Sequence, residues 1–93
     1  MLRFEWDEAK NRLNIRRHGI AFADVVDFLD DSGLFERLDL RLDYGEERTI
    51  AFANVGGRIL AIVYAERGDA IRIISARLAS RDETNDYFKS NSL

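Results

Sequence analysis

No cysteine and no proline occur among the 93 residues, and histidine, tryptophan and methionine appear once each. The missing cysteines exclude a disulfide framework and any thiolate zinc or redox centre. A single histidine, His18, excludes a multi-histidine metal cluster, and no motif backs a site built from carboxylates alone. No metal and no cofactor are therefore expected. No stretch approaches the roughly 18 apolar residues of a membrane span, and the first residues lack a basic segment followed by an apolar one. The expected compartment is the cytoplasm, with no membrane partner. Repeats, linkers and low-complexity segments are also absent, so residues 1–89 are expected to form a single domain with a frayed tail over 90–93.

Charge is plentiful by contrast, at 33% of residues, and the net value of −3 hides an uneven distribution. Residues 1–20 sum to +2, residues 21–47 to −7 and residues 48–93 to +2. An anionic partner gains nothing from the molecule's overall field, and would have to meet the two ends where folding brings them together.

Alternation of apolar side chains at Leu2, Phe4 and Trp6 predicts a short first strand. Asp7 then suits the N-cap of a helix running to about Arg17, closed by a glycine C-cap at Gly19. On it Ala9 and Leu13 are expected to face the core, while Lys10, Asn14, Arg17 and His18 share one polar stripe. Phe22, Val25, Val26 and Leu29 recur at helical spacing, so a second helix follows, with Asp24 and Asp27 facing out and Asp30-Asp31-Ser32-Gly33 ending it. The stretch from Leu34 to Asp43 alternates from Arg37 onward as an exposed edge strand does, and Tyr44-Gly45-Glu46-Glu47 reads as a turn.

Three antiparallel strands are predicted over Arg48–Val55, Arg58–Glu66 and Ala70–Leu78, joined by Gly56-Gly57 and by Arg67-Gly68-Asp69. Ser80 and Glu83 have capping-box spacing for a last helix, on which Tyr87 and Phe88 pack back. These elements make an α+β fold. The last strand carries the puzzle: Arg72 and Arg77 stand among Ile71, Ile73 and Ile74, and a guanidinium there needs an anionic partner or an open cleft. Strict alternation puts the two arginines on opposite faces unless a bulge intervenes. Arg72 is expected to form a structural ion pair, with Glu47 or Asp69, and Arg77 to be available to a ligand.

Five ordered segments resemble the BrnT family of ribonuclease toxins: Phe4-Glu5-Trp6-Asp7-Glu8-Ala9-Lys10-Asn11, Asn14-Ile15-Arg16-Arg17-His18-Gly19-Ile20, Phe28-Leu29-Asp30-Asp31, Tyr44-Gly45-Glu46-Glu47-Arg48 and Ile71-Arg72-Ile73-Ile74-Ser75-Ala76-Arg77. The resemblance implies a RelE-like twisted, mainly antiparallel sheet with two N-terminal helices on one face and a short C-terminal helix. It also implies an endoribonuclease toxin of a type II toxin–antitoxin system, neutralised by a BrnA-like ribbon-helix-helix antitoxin, with operator DNA bound only through that antitoxin. Thr84 and Leu78 stand where similar proteins more often carry basic residues.

Metal-independent RNA cleavage by 2′-hydroxyl attack needs a proton carrier, stabilisation of a phosphorane and a proton for the leaving oxygen. His18 is the natural carrier near neutrality, and Glu47, if raised by burial, is a second. Arg67 and Arg77 have the fork that clamps phosphate. Lys10 and Arg17 lie on the His18 stripe as RNA contacts, and Trp6 or Tyr64 could stack on an unpaired base. For Trp6 a core position is the commoner use. Two other functions fit the same residues: a non-catalytic module binding antitoxin or nucleic acid, and a structural domain whose arginines are all paired internally.

Overall fold

The computed structural model describes residues 3–29, 35–40 and 45–90. Its frame is a five-stranded mixed sheet in the order β1-β5-β4-β3-β2. The strands are β1 (Arg3–Glu5), β2 (Phe35–Leu38), β3 (Thr49–Val55), β4 (Arg58–Arg67) and β5 (Ala70–Leu78). β2 to β5 are antiparallel, and β1 lies parallel to the start of β5. Among the described residues there are three α-helices, α1 (Glu8–His18), α2 (Val26–Leu29) and α3 (Arg81–Ser90), and a 3-10 turn over Phe22–Asp24. The chain is thus α+β, with strand limits within a residue of those predicted for β3, β4 and β5. The expected helix end at Asp30 to Gly33, the alternation at Leu42 and Asp43, Tyr44 of the turn and the tail over 91–93 lie outside the described residues.

The two central turns follow from glycine. Val55 pairs with Arg58 across Gly56 and Gly57, whose φ angles of 62° and 91° match the twist of a tight hairpin, and Asn54 Oδ1 accepts from the Gly57 N–H at 2.9 Å. Packing occupies both sheet faces. Phe22, Val25 and Leu29 cover Ala51, Ala53, Leu60, Ile62, Ile73 and Ala76 on one face. On the other, Ile50, Phe52, Ile59, Ala61 and Val63 meet Ile74 and Tyr87.

The second helix is shorter than its apolar spacing suggested. A 3-10 turn leads into one turn of α-helix, and no side chain of Ala21 caps the start. The cap comes from elsewhere: Asn11 Oδ1, on α1, accepts from the Phe22 N–H at 2.9 Å.

α1 corrects a further expectation. Its caps are as predicted, with Asp7 Oδ1 accepting from Ala9 N–H at 2.8 Å and Gly19 in the left-handed region at φ 71°. Its inward residues are not Ala9 and Leu13, which are exposed, but Asn11 and Asn14. The reason is position. β1 covers β5 only as far as Arg72, and beyond it α1 lies against the strand's open edge. What that edge presents is backbone N–H and C=O, so amides rather than aliphatic side chains are required. Asn14 supplies both: its Oδ1 accepts from Ala76 N–H at 3.1 Å and its Nδ2 donates to Ala76 C=O at 2.8 Å and Ile20 C=O at 2.9 Å.

Asn14→Ala leaves these buried backbone groups unpaired, and a loss of about 2–3 kcal/mol in urea unfolding is expected. Asn14→Asp, which sets a carboxylate against two carbonyl oxygens, is expected to lose at least as much.

Candidate functional site

The register between β4 and β5 slips once. Val63 faces Ser75 and Tyr64 faces Ile73, which leaves Ile74 as an extra residue in β5. This bulge overturns strict alternation. Arg72 opposes Ala65 and Arg77 opposes Ala61, so both arginines emerge on the face that also holds Val63 and Ile74.

Neither arginine is free there. Arg72 forms its expected ion pair, but with Glu5 at 3.3 Å rather than with Glu47 or Asp69, because parallel pairing sets Glu5 beside it. Arg77 is held by α3. Its Nη1 and Nη2 donate to the two oxygens of Glu83 at 2.7 and 3.0 Å, a bidentate pair. Arg37 of β2 adds a bond to Glu83 at 3.2 Å while resting over the Phe52 ring at 5.1 Å. Glu83 also closes the predicted capping box, accepting from Ser80 N–H at 2.8 Å. The guanidinium of Arg77, then the cap, hold its carboxyl down at about 2. Arg77 therefore anchors α3, and where the sequence reading left it available to a ligand, both of its terminal nitrogens are engaged by Glu83.

The remaining candidates separate by position. Arg67 ends β4 and donates to both oxygens of Glu46 at 3.2 Å. Glu47 lies exposed just before β3, without the burial on which a proton-carrying role rested. Both sit near the Arg67 end of the sheet, since Thr49 opposes Tyr64. His18 lies at the other end, beside Arg58 and Leu60. Along β4 about 23 Å separate Leu60, beside His18 in one hollow, from Arg67, and along β5 about 16 Å separate Ser75, beside His18 in another, from Ala70 opposite Arg67.

The aromatic candidates belong to the core. Tyr64 is only 7% exposed, and its hydroxyl donates to Glu36 at 2.9 Å. Burial and the Glu36 carboxylate raise it to about 12, and neither face of the ring is open to a base. Trp6 packs edge-on against Phe22 at 6.2 Å and donates its indole N–H to Glu8 at 3.2 Å.

What the fold does bring together is the polar stripe of α1. Lys10, Arg17 and His18 line one hollow with Leu13, Asn14, Ile74 and Ser75, between the helix and the bulged part of β5. The bulge turns Ile74 and Ser75 toward this groove, and the Asn14 bonds to Ala76 fix the helix along it. Lys10 and Arg17 make no ion pair with a described carboxylate. His18 also borders a second hollow, of about 240 Å³, whose walls include Ile20, Val25, Leu60 and Leu78 with Asp24 and Arg58. The last helical turn holds Arg16, Arg17 and His18 at the negative end of the helix dipole. The groove is thus cationic although the chain as a whole is acidic.

A family model described as "Ribonuclease toxin, BrnT, of type II toxin-antitoxin system" matches residues 6–83. The chain belongs to the BrnT family. No curated protein sequence matches it. Membership makes it a type II toxin of the ribonuclease class, a class paired with an antitoxin. The match begins at Trp6 and closes at Glu83, so it takes in both the cationic stripe and the carboxylate that locks Arg77. Among the described residues of this BrnT protein, no helix is long and apolar enough to cross a membrane.

The Glu83 lock has a pH signature. Its folded value lies below the ordinary 4.5, so its stabilisation is complete above about pH 4.5 and is lost as pH falls toward about 2. Acid unfolding followed by circular dichroism should reveal a loss of about 2–3 kcal/mol over that window. Glu83→Gln is expected to flatten it, and Arg77→Ala to lower stability at neutral pH as well.

Proposed function

We propose that this protein is an endoribonuclease toxin that cleaves RNA without a metal ion, by attack of the ribose 2′-hydroxyl in the groove between α1 and β5. The observation that carries the reading is the convergence of Lys10, Arg17 and His18 on one hollow, with no carboxylate lining it. Membership of a ribonuclease toxin family supports the reaction class. A RelE-like arrangement, with the N-terminal helices against a mainly antiparallel sheet, is part of the same reading, as is action on RNA in the cytoplasm.

In this mechanism His18 takes the proton from the 2′-hydroxyl as its oxygen bonds to the neighbouring phosphorus. The P–O bond to the 5′-oxygen breaks, and the protonated imidazole returns its proton to that leaving oxygen. The products are a 2′,3′-cyclic phosphate and a 5′-hydroxyl. Lys10 and Arg17 stabilise the charge that builds on the non-bridging oxygens. Arg77 positions rather than clamps: through Glu83 it fixes the end of β5 next to Asn14's strand partner. Metal independence is part of the proposal because both proton transfers are assigned to the His18 imidazole. The antitoxin is proposed to be BrnA-like, with a ribbon-helix-helix part that binds operator DNA and a segment that masks the cationic groove.

One observation favours the non-catalytic alternative. Arg67 and Arg77, both of the expected clamps, are engaged by Glu46 and Glu83. Purified protein incubated with single-stranded RNA distinguishes the two. Cleavage by the natural chain, reduced at least 100-fold in His18→Ala with an unchanged melting temperature, is the expected result. Lys10→Ala and Arg17→Ala are expected to lower kcat and kcat/KM and to weaken the salt dependence of kcat/KM. Absence of cleavage in the natural chain sinks the nuclease reading, and full activity of His18→Ala sinks the role of the imidazole.

A further inference from the structure

The hollow on the other side of His18 is unused by the chemistry just described. Its volume of about 240 Å³ is several times the roughly 30 Å³ share of a water molecule, and its walls are mostly aliphatic: Val25, Val55, Leu60 and Leu78. Two charged groups stand among them, Asp24 from the 3-10 turn and Arg58 from the start of β4. Both are exposed, and they form no ion pair with each other or with any described residue. Opposite charges that line one cavity without neutralising each other are arranged for a third party. That party must be flat and apolar on its faces to suit the walls. Its rim must carry donors for a carboxylate and acceptors for a guanidinium.

We infer that this hollow is a base-recognition pocket selective for an unpaired guanine, with Asp24 and Arg58 as its specificity-determining residues. Guanine alone among the four RNA bases sets two adjacent donors, N1–H and N2–H, on one edge, which a carboxylate accepts together. On its other edge the acceptors O6 and N7 match the two-pronged donor of arginine. Adenine reverses the pattern at C6 and lacks the N2 donor, while the pyrimidines lack the N7 acceptor. Recognition of a splayed-out base through its edges is the usual way a protein reads single-stranded RNA.

The proposal rests on the nuclease reading for its geometry. His18 belongs to both hollows, so a base in one places its own phosphate at the mouth of the other, beside Lys10 and Arg17. Gly19, which caps the helix with φ 71°, lines the second hollow beside His18. Exposure of Asp24 and Arg58 has a further consequence. Substituting either removes no buried contact, so the variants are expected to fold like the natural chain.

Guanosine 3′,5′-bisphosphate and adenosine 3′,5′-bisphosphate are suitable probes, because each carries phosphate on both the 3′ and the 5′ oxygen of its ribose. Binding followed by amide chemical shifts should favour the guanosine compound by about 10-fold, with shifts at Gly19, Val25, Leu60 and Leu78. In Asp24→Asn and Arg58→Ala, both with unchanged melting temperatures, the preference should fall below about 3-fold. Equal affinity for the two nucleotides, shifts confined to the Arg67 end of the sheet, or a preference untouched in both variants each overturns the pocket. RNA cleavage by the natural chain without preference for guanine beside the cut also overturns it, while leaving the nuclease assignment standing. Guanosine-selective binding in a chain that cleaves nothing leaves the pocket standing and removes the nuclease.

Discussion

Everything distinctive in this molecule depends on how the open edge of β5 is satisfied past the point where β1 stops. Asn14 does it with one side chain that both accepts from and donates to Ala76, imitating a neighbouring strand for the length of a single residue. A strand edge left bare would cost stability and invite pairing with another chain. Because an amide on a helix closes the edge, the helix must lie alongside β5. Its stripe of Lys10, Arg17 and His18 is thereby brought against the strand. Asn11 repeats the device one turn earlier by capping Phe22, so two amides on one helix organise both the edge and the start of the next element.

The bulge at Ile74 is the second constraint, and it acts on charge. By shifting the pleat by one residue it gathers Arg72 and Arg77 on one face, where Glu5 and Glu83 neutralise them. The cations left open to solvent in the groove then belong to α1 alone. This answers the difficulty of an acidic chain handling an anionic polymer. Glu5, Glu46 and Glu83 are engaged by the sheet arginines Arg72, Arg67 and Arg77, while Lys10 and Arg17 of the helix pair with no described carboxylate.

Much of this was legible in the residues. The glycine pair at 56–57, the Asp7 and Gly19 caps and the Ser80–Glu83 box each obey a local rule, so the elements they bound lie where expected. The stripe at Lys10, Asn14, Arg17 and His18 was likewise a matter of helical spacing. What escaped was tertiary. An asparagine reads as a surface residue, and nothing local announces that Asn14 will face a strand edge. Strict alternation of β5 could not reveal the extra residue at Ile74. Tyr64 looked available for stacking because its partner, Glu36, is far away in sequence and next to it only in the sheet.

The groove between α1 and the bulged part of β5 is the proposed seat of the RNA backbone. A short single-stranded RNA made resistant to cleavage by 2′-deoxy substitution, titrated into the labelled protein and followed by backbone amide shifts, tests it most directly. The largest changes are expected at Lys10, Arg17, His18, Ile74 and Ser75, weakening as salt is raised. Changes centred instead on Glu47, Arg67 and the turn at Gly68, with the first helix silent, would contradict it.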